Sequence, residues 1–276
     1  MSSTSTTPSP RDFTINCTTL LSELPVLERA QAARDAGFER VEFWWPFDSA
    51  TPTQQEIDDF VASIEAAGVQ LVGLNFFAGD MPGGDRGIVS SPGREEEFAA
   101  NVEVVAALGE RLGCRAFNAL YGLRIEGQDP AAQDETAVAN LALAARAVAA
   151  FGGTVLLEPV SGADAYPLKT AAEALAIIDR VRAEGVENIA LLADFYHLAV
   201  NGEDVAAVIE AHAAEFGHIQ IADSPGRGAP GTGDLPLDQW IQRSRALGYE
   251  GGVALEYKQD RATAFDWFSQ PAAATS

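Results

Sequence analysis

Gly152-Gly153-Thr154-Val155-Leu156-Leu157-Glu158 holds the unit from which this chain is built: glycine closing a helix-like segment, a short apolar run, and a carboxylate where the run ends. Glycine is favoured just past a helix because it takes positive φ without a Cβ clash. A short run of Val, Ile and Leu predicts a strand covered on both faces, as in a parallel sheet. Outward from it, the pattern recurs at Gly37 (before Val41 to Trp45), Gly68 (Leu71 to Phe77), Gly113 (Ala116 to Tyr121), Gly185 (Ile189 to Ala193), Gly217 (Ile219 to Ile221) and Gly248 (Val253 to Leu255). With Phe13 to Cys17 as the first strand, the chain has eight.

The segments between them carry helix punctuation. Ser22 and Pro25 open the first, which runs to Ala36, and Thr51-Pro52 opens the second, with Ile57, Phe60, Val61 and Ile64 on one face. Glu95 to Leu112, Ala131 to Ala150, Thr170 to Glu184, Glu203 to Glu215 and Leu235 to Leu247 complete the helices. Strict alternation implies an α/β fold with a parallel sheet, and eight repeats favour a closed (β/α)₈ TIM barrel over a doubly wound sheet. The expected organisation is a single barrel domain over residues 12–276, preceded by a disordered Ser/Thr/Pro-rich tail over 1–11.

Composition narrows the function. A formal charge of −22, with 40 acidic against 18 basic residues, lacks the basic stripe that nucleic-acid binding needs. Only two lysines are present, Lys169 and Lys258, so arginines must attract any anionic ligand. Cys17 and Cys114 lie far apart in apolar runs and predict reduced core thiols. The first residues have no apolar signal-peptide core, and Val138 to Leu157 is broken by Arg146 and the glycine pair. A cytoplasmic protein without membrane association is expected, and a homo-oligomer is compatible with the sequence.

Four runs end on, or contain, an oxygen donor: Glu158, Asp194 after Ile189 to Ala193, Gln220 within His218-Ile219-Gln220-Ile221, and Glu256 after Val253-Ala254-Leu255. Barrel strands converge at their C-terminal ends, so the four are expected to surround one point. Three carboxylates and an amide oxygen suit a hard cation, Mg²⁺ or Mn²⁺. A single acidic residue after a strand is more often a helix cap, but four on consecutive strands argue for one site. Gln220 adds weight, because an amide inside an apolar run needs partners. The long segments Ala78 to Gly93, Gly122 to Asp129 and Asp223 to Asp234 all follow strands and fall on the same face. Phe43, Trp44 and Trp45 predict pocket wall, whereas His212 and His218 are expected to be structural.

Several motifs go further. Leu157-Glu158-Pro159, Asp194-Phe195-Tyr196-His197, His218 through Asp223, Pro225-Gly226-Arg227, Pro230 through Asp234 and Leu255-Glu256-Tyr257 together resemble the hydroxypyruvate isomerase family of the xylose-isomerase-like barrels. Leu24-Pro25 to Phe38, Val41-Glu42-Phe43, and Asn75 with Ala78-Gly79-Asp80 through Arg86-Gly87 are similar to the same family's opening, so the resemblance spans Phe13 to Trp267. It implies a metal site at Glu158, Asp194, Gln220 and Glu256 and a catalytic pair, Glu158 and Glu256. Ketose epimerases of the superfamily have histidine in place of Gln220. Ala229, Ser161, Ala163 and Ala199 stand where the family usually carries polar pocket residues, which leaves the substrate open.

The implied chemistry is proton removal beside a carbonyl, with the negative charge that develops stabilised by a Lewis acid and the proton moved by paired carboxyl groups. His197 is a candidate for a substrate oxygen, and Arg227 for a substrate carboxylate through its planar fork. Arg86 and Lys258 are candidates for the same work, and Asn75 completes the substrate-binding set. The expected partner is a small molecule: hydroxypyruvate or a related 2-oxo acid, or alternatively a neutral ketose handled by a ketose-aldose isomerase or epimerase. A non-catalytic metal- or sugar-binding barrel is a third reading, and the glutamate pair argues against it.

Overall fold

The computed structural model describes residues 8–269. Of the expected tail, residues 1–7 lie outside the described residues, as do 270–276 at the other end of the expected domain. Eight strands form one closed, all-parallel barrel in sequence order. They are β1 (Thr14–Asn16), β2 (Arg40–Phe43), β3 (Gln70–Asn75), β4 (Ala116–Asn118), β5 (Thr154–Leu157), β6 (Ile189–Asp194), β7 (Phe216–Ile221) and β8 (Val253–Leu255). Closure is made by β8 pairing with β1, Leu255 opposite Ile15.

The helices are α1 (Cys17–Leu20), α2 (Val26–Asp35), α3 (Gln54–Ala67), α4 (Glu95–Leu112), α5 (Pro130–Ala149), α6 (Ala171–Ala183), α7 (Phe195–Val200), α8 (Val205–His212) and α9 (Leu237–Ala246). Local chemistry fixes their ends. Thr53 and Glu56 form a capping box on α3, and Thr170 and Glu173 form one on α6. The predicted stripe on α3 is the buried one: Phe60, Val61 and Ile64 are at most 2% exposed. Each such side chain contributes about 1.5–3 kcal/mol by leaving water.

Two expectations need correction. Six of the seven glycines read as helix ends have positive φ, from 64° at Gly68 to 99° at Gly248, but Gly217 does not. It lies inside β7, where an added Cβ would sit 2.6 Å from Leu156 Cδ2 and 2.8 Å from Ala190 Cβ. The close approach of neighbouring strands, not a helix end, requires glycine there. The single helix expected over Glu203 to Glu215 is α8 followed by a short 3₁₀ turn, and an unforeseen helix, α7, starts directly at the end of β6.

Side chains alternate along each strand. Val41, Phe43, Val155, Leu157, Ile219 and Ile221 belong to the apolar core, and the residues between them face the barrel axis. That inner layer is mixed: apolar Leu156 shares it with Asn16, Glu42, Asn118, His218 and Gln220, all buried. A hydrogen bond of 2.7 Å from His218 Nε2 to Glu42 Oε2 joins β7 to β2 across the interior, because β8 and β1 lie between these strands. Among the described residues no helix is long and apolar enough to cross a membrane.

Candidate active site

Glu158 follows β5, Asp194 ends β6, and Glu256 follows β8. Atoms from these three carboxylates and from His197 all lie within 4.8 Å of one another, in a buried cluster. Gln220 sits in register with Asp194 on the adjacent strand. The four residues singled out at strand ends thus arrive at one end of the barrel.

Each is held by a partner on a neighbouring element. Asn118 Nδ2 donates to Glu158 Oε2 at 2.8 Å. Trp44 Nε1 donates to Glu256 Oε1 at 2.7 Å, and Asn16 Nδ2 reaches the same oxygen at 3.2 Å. Arg227 completes the clamp, with NH2 2.7 Å from Glu256 Oε2 and Nε donating to the Glu256 carbonyl at 3.2 Å. Asp194 divides its work. Its Oδ1 caps α7, accepting from Tyr196 N at 2.8 Å and His197 N at 3.1 Å, while its Oδ2 is buried without a partner.

Gln220 is similarly divided. Its Nε2 donates to Glu42 Oε1 at 2.7 Å, and its Oε1 is buried without a partner. A carboxylate only accepts, so Glu42 fixes which end of the amide faces it. His197 is oriented by Ser161, whose backbone N–H donates to Nδ1 at 3.1 Å. That donor makes Nδ1 the acceptor, so the proton of the neutral ring sits on Nε2, 3.6 Å from Asp194 Oδ2 and 3.8 Å from Glu158 Oε1. Burial, then the charge of Arg227, lowers His197 to about 3, so the ring is neutral across the working pH range. Its Nε2 faces the carboxylates of Asp194 and Glu158 within the same buried cluster.

The electrostatics of the trio are unfavourable without a counter-charge. Burial, with Glu256 and Asp194 nearby, pushes Glu158 well above the ordinary carboxylate range. Burial raises Asp194 as well, despite Arg227 and the two backbone donors. Glu256 rises to about 7, burial outweighing Arg227, with Asp194 and Glu42 adding to the rise. An unpaired buried acceptor costs about 1–3 kcal/mol. Two such oxygens, Asp194 Oδ2 and Gln220 Oε1, beside mutually repelling carboxylates make a donor set fitted to a hard divalent cation.

Glu158 and Glu256 border a partly open cavity of about 130 Å³ whose wall also includes Trp44, Asn75, Arg86, His197 and Arg227. A wider cleft of about 560 Å³ adjoins it, sharing Trp44, Asn75 and Met81 and continuing to Phe47, Phe77 and Arg94. Of the predicted wall residues, Trp44 lines the cavity, Trp45 lines the cleft, and Phe43 is core packed on Phe60. Lys258 is not brought to the site: its side chain is exposed, and only its backbone N–H acts locally, donating to the Arg227 carbonyl at 2.7 Å.

Arg227 is delivered by a loop organised around Asp223. That buried carboxylate accepts from the backbone N–H groups of Ser224, Gly231, Gly233 and Leu235 at 2.8–3.0 Å. Arg227 itself adopts φ 57°, the left-handed region, at a cost of about 1–2 kcal/mol for a residue with Cβ. Glu42, Asn16 and Asn118 were not among the expected site residues, and Ser161, read as a departure at a pocket position, holds His197. The signal for the first three is period-two alternation, with polar residues on one face of strands whose other face is apolar.

The xylose isomerase-like TIM barrel family model matches residues 30–275. The chain is 52% identical over 263 residues to a Streptomyces coelicolor protein named provisionally as a hydroxypyruvate isomerase, covering 92% of this chain and 94% of that one. It is 32% identical to the Escherichia coli hydroxypyruvate isomerase, over 91% of this chain and 95% of the relative. Among solved structures, an AP endonuclease, family 2, from Brucella melitensis superposes with a TM-score of 0.83 at 32% identity, over 94% of this chain and 98% of that chain.

Proposed function

The chain belongs to the xylose isomerase-like TIM barrel family and is an isomerase; from that premise we propose that it interconverts a small 2-oxo acid and its isomer, hydroxypyruvate and tartronate semialdehyde or a four-carbon homologue, with a divalent cation. One observation carries the reading. Two carboxyl groups of raised proton affinity, Glu158 and Glu256, line a small cavity beside two unpartnered buried oxygens.

A Mg²⁺ or Mn²⁺ held by Glu158, Asp194, Gln220 and Glu256 would act as a Lewis acid toward the substrate's carbonyl and hydroxyl oxygens. The proton transfers fall to the chain's own groups. One glutamate, ionised, takes a proton from the carbon next to the carbonyl, and the electron pair of that C–H bond becomes the C=C bond of an enediolate. The carbonyl π pair moves onto its oxygen; the other glutamate, protonated, returns a proton to the former carbonyl carbon, and the neighbouring hydroxyl passes its proton to the former carbonyl oxygen as it becomes the new C=O. Burial equips both for this by raising their proton affinity, that of Glu256 to about 7. His197 Nε2–H is placed to donate to a substrate oxygen, and Arg227 fixes Glu256 through one contact to its carboxylate and one to its backbone carbonyl.

A neutral ketose is the second reading, favoured by the cleft that adjoins the cavity and would admit a longer chain. The experiment that separates the two is turnover of hydroxypyruvate, a four-carbon 2-oxo acid and neutral ketoses in D₂O, followed by NMR with and without chelator. The acids are expected to isomerise and to gain deuterium at carbon only when the cation is present. Turnover confined to neutral ketoses, or unaffected by chelator, overturns the proposal.

A further inference from the structure

We propose that Arg86, and not Arg227, binds the substrate's carboxylate, so that the two arginines of the cavity divide between recognition and positioning. The inference rests on the 2-oxo acid reading of the site and names the group that would make the site select an acid.

Both arginines line the cavity, but their charges are differently engaged. Arg227 is 2.7 Å from Glu256 Oε2 and 3.8 Å from Asp194 Oδ2, and its guanidinium lies over the Tyr196 ring at 5.4 Å. Its Nε and NH2 are both engaged by Glu256, so its charge is already matched by the acidic wall. Arg86 has no carboxylate partner among the described residues. Its NH1 is anchored on the backbone carbonyls of Met81, at 3.0 Å, and Asp85, at 2.6 Å. Its Nε and NH2 meet no acceptor among the described residues. The neighbouring Asp85 carboxylate does not neutralise it, being paired with Arg94 at 2.7 Å.

Position supports the same assignment. Arg86 is carried on the segment after β3, and the carboxylate trio comes from the ends of β5, β6 and β8. The bridge between Gly87 and Tyr121 holds this segment beside the chain that leaves β4, and Arg86 lines the same cavity as Glu158 and Glu256. A three- or four-carbon acid is repelled by Glu158, Asp194 and Glu256 at its carboxylate end, and attracted to Arg86 there. That orientation leaves the carbonyl and its neighbouring carbon toward the glutamates. In a chain of charge −22, one uncompensated guanidinium inside the cavity is the local attraction that an anionic substrate requires.

The test is steady-state kinetics of Arg86→Met, which keeps the length of the side chain and removes its charge, beside Arg86→Lys and Arg227→Met. For hydroxypyruvate, Arg86→Met should raise KM about 10- to 100-fold, the worth of a hydrogen bond between charged groups, with kcat changed less than about threefold. Arg86→Lys should recover part of the loss. Dihydroxyacetone, which replaces the carboxylate by a neutral hydroxymethyl group, should bind wild type and Arg86→Met alike, measured as substrate or as competitive inhibitor. Arg227→Met should instead lower kcat for both compounds. An unchanged KM for the acid in Arg86→Met, or equal losses for acid and neutral analogue, overturns the assignment while leaving the isomerase reading intact. Failure of the wild-type enzyme to turn over any 2-oxo acid overturns both.

Discussion

Two groups of buried carboxylates lie in this barrel, and they are treated in opposite ways. Glu42 is enclosed by donors: Asn16 Nδ2 at 2.9 Å, Gln220 Nε2 at 2.7 Å and His218 Nε2 at 2.7 Å. Burial by itself would raise its proton affinity, but the His218 charge and the three hydrogen bonds hold it below the ordinary carboxylate range. Glu158, Asp194 and Glu256 are as deeply buried, yet all three are pushed upward, and Asp194 keeps an oxygen with no partner. A satisfied buried charge belongs to the scaffold. A cluster of carboxyls that raise one another's proton affinity, one with an unpartnered oxygen, is maintained at a cost in stability and marks a place where something else can bind or react. Asn16 joins the two groups, since the same Nδ2 reaches Glu42 and Glu256.

The largest effect expected from this contrast is catalytic. Glu158→Gln and Glu256→Gln should each reduce turnover about 10²- to 10⁴-fold, the usual worth of a positioned acid or base. Because both residues are proposed ligands, bound metal must be measured on the same samples. If either variant isomerises at the wild-type rate with metal bound, proton transfer by that residue is wrong.

The next effect is on stability, and its sign differs between the groups. Glu42→Ala strands His218, Gln220 and Asn16 without their shared acceptor, and breaking a buried charged pair costs about 3–5 kcal/mol. At about 2–4 °C per kcal/mol for a chain of this size, the metal-free Tm should fall by roughly 6–20 °C. Glu158→Gln removes a charge that burial and its neighbours disfavour, so the metal-free Tm should hold or rise. Thermal unfolding of both variants in chelator decides the matter. Equal losses would mean that the distinction between satisfied and unsatisfied carboxylates has no energetic content.

The unevenness of what the sequence reveals follows the same division. The barrel was legible because glycine and apolar runs alternate at a helix-strand period, and that signal is local. Glu158, Asp194 and Glu256 were legible because each stands where an apolar run stops. Glu42 was not, because Arg40-Val41-Glu42-Phe43 has the alternation of a strand with one face in water. Only closure of the sheet turns that polar face inward, against His218 and Gln220 from a strand distant in sequence. The short helix α7 escaped for a different reason. Its N-cap is Asp194 itself, read from the sequence as a metal ligand, and the cap uses only one of its two oxygens. Arg86 and Arg227 could be named as candidates, but which charge is already engaged is a matter of distance, which the sequence does not contain.

The smallest effect is the dependence of metal stabilisation on pH, and it tests whether the trio is strained for want of a cation. A carboxyl whose folded pKa exceeds its unfolded value contributes stability that is complete below the unfolded pKa and is lost as pH rises through the folded one. For Glu256 that window runs from about 4.5, the ordinary value, to about 7; Glu158 and Asp194 are displaced in the same direction. The metal-free protein should therefore lose stability across this range as the buried carboxylates ionise beside one another. A cation removes the repulsion and competes with the protons, so its benefit should be slight near pH 5 and should grow toward pH 7 and above. With Mn²⁺ at about 100 times its dissociation constant, the added stability is about 2.7 kcal/mol, or roughly 5–10 °C in Tm. Glu42, whose pKa is displaced the other way, takes no part in this window. Thermal unfolding at several pH values, with metal and with chelator, measures the growth directly. A metal-induced shift of the same size at pH 5 and pH 7 would place the binding groups outside the raised trio.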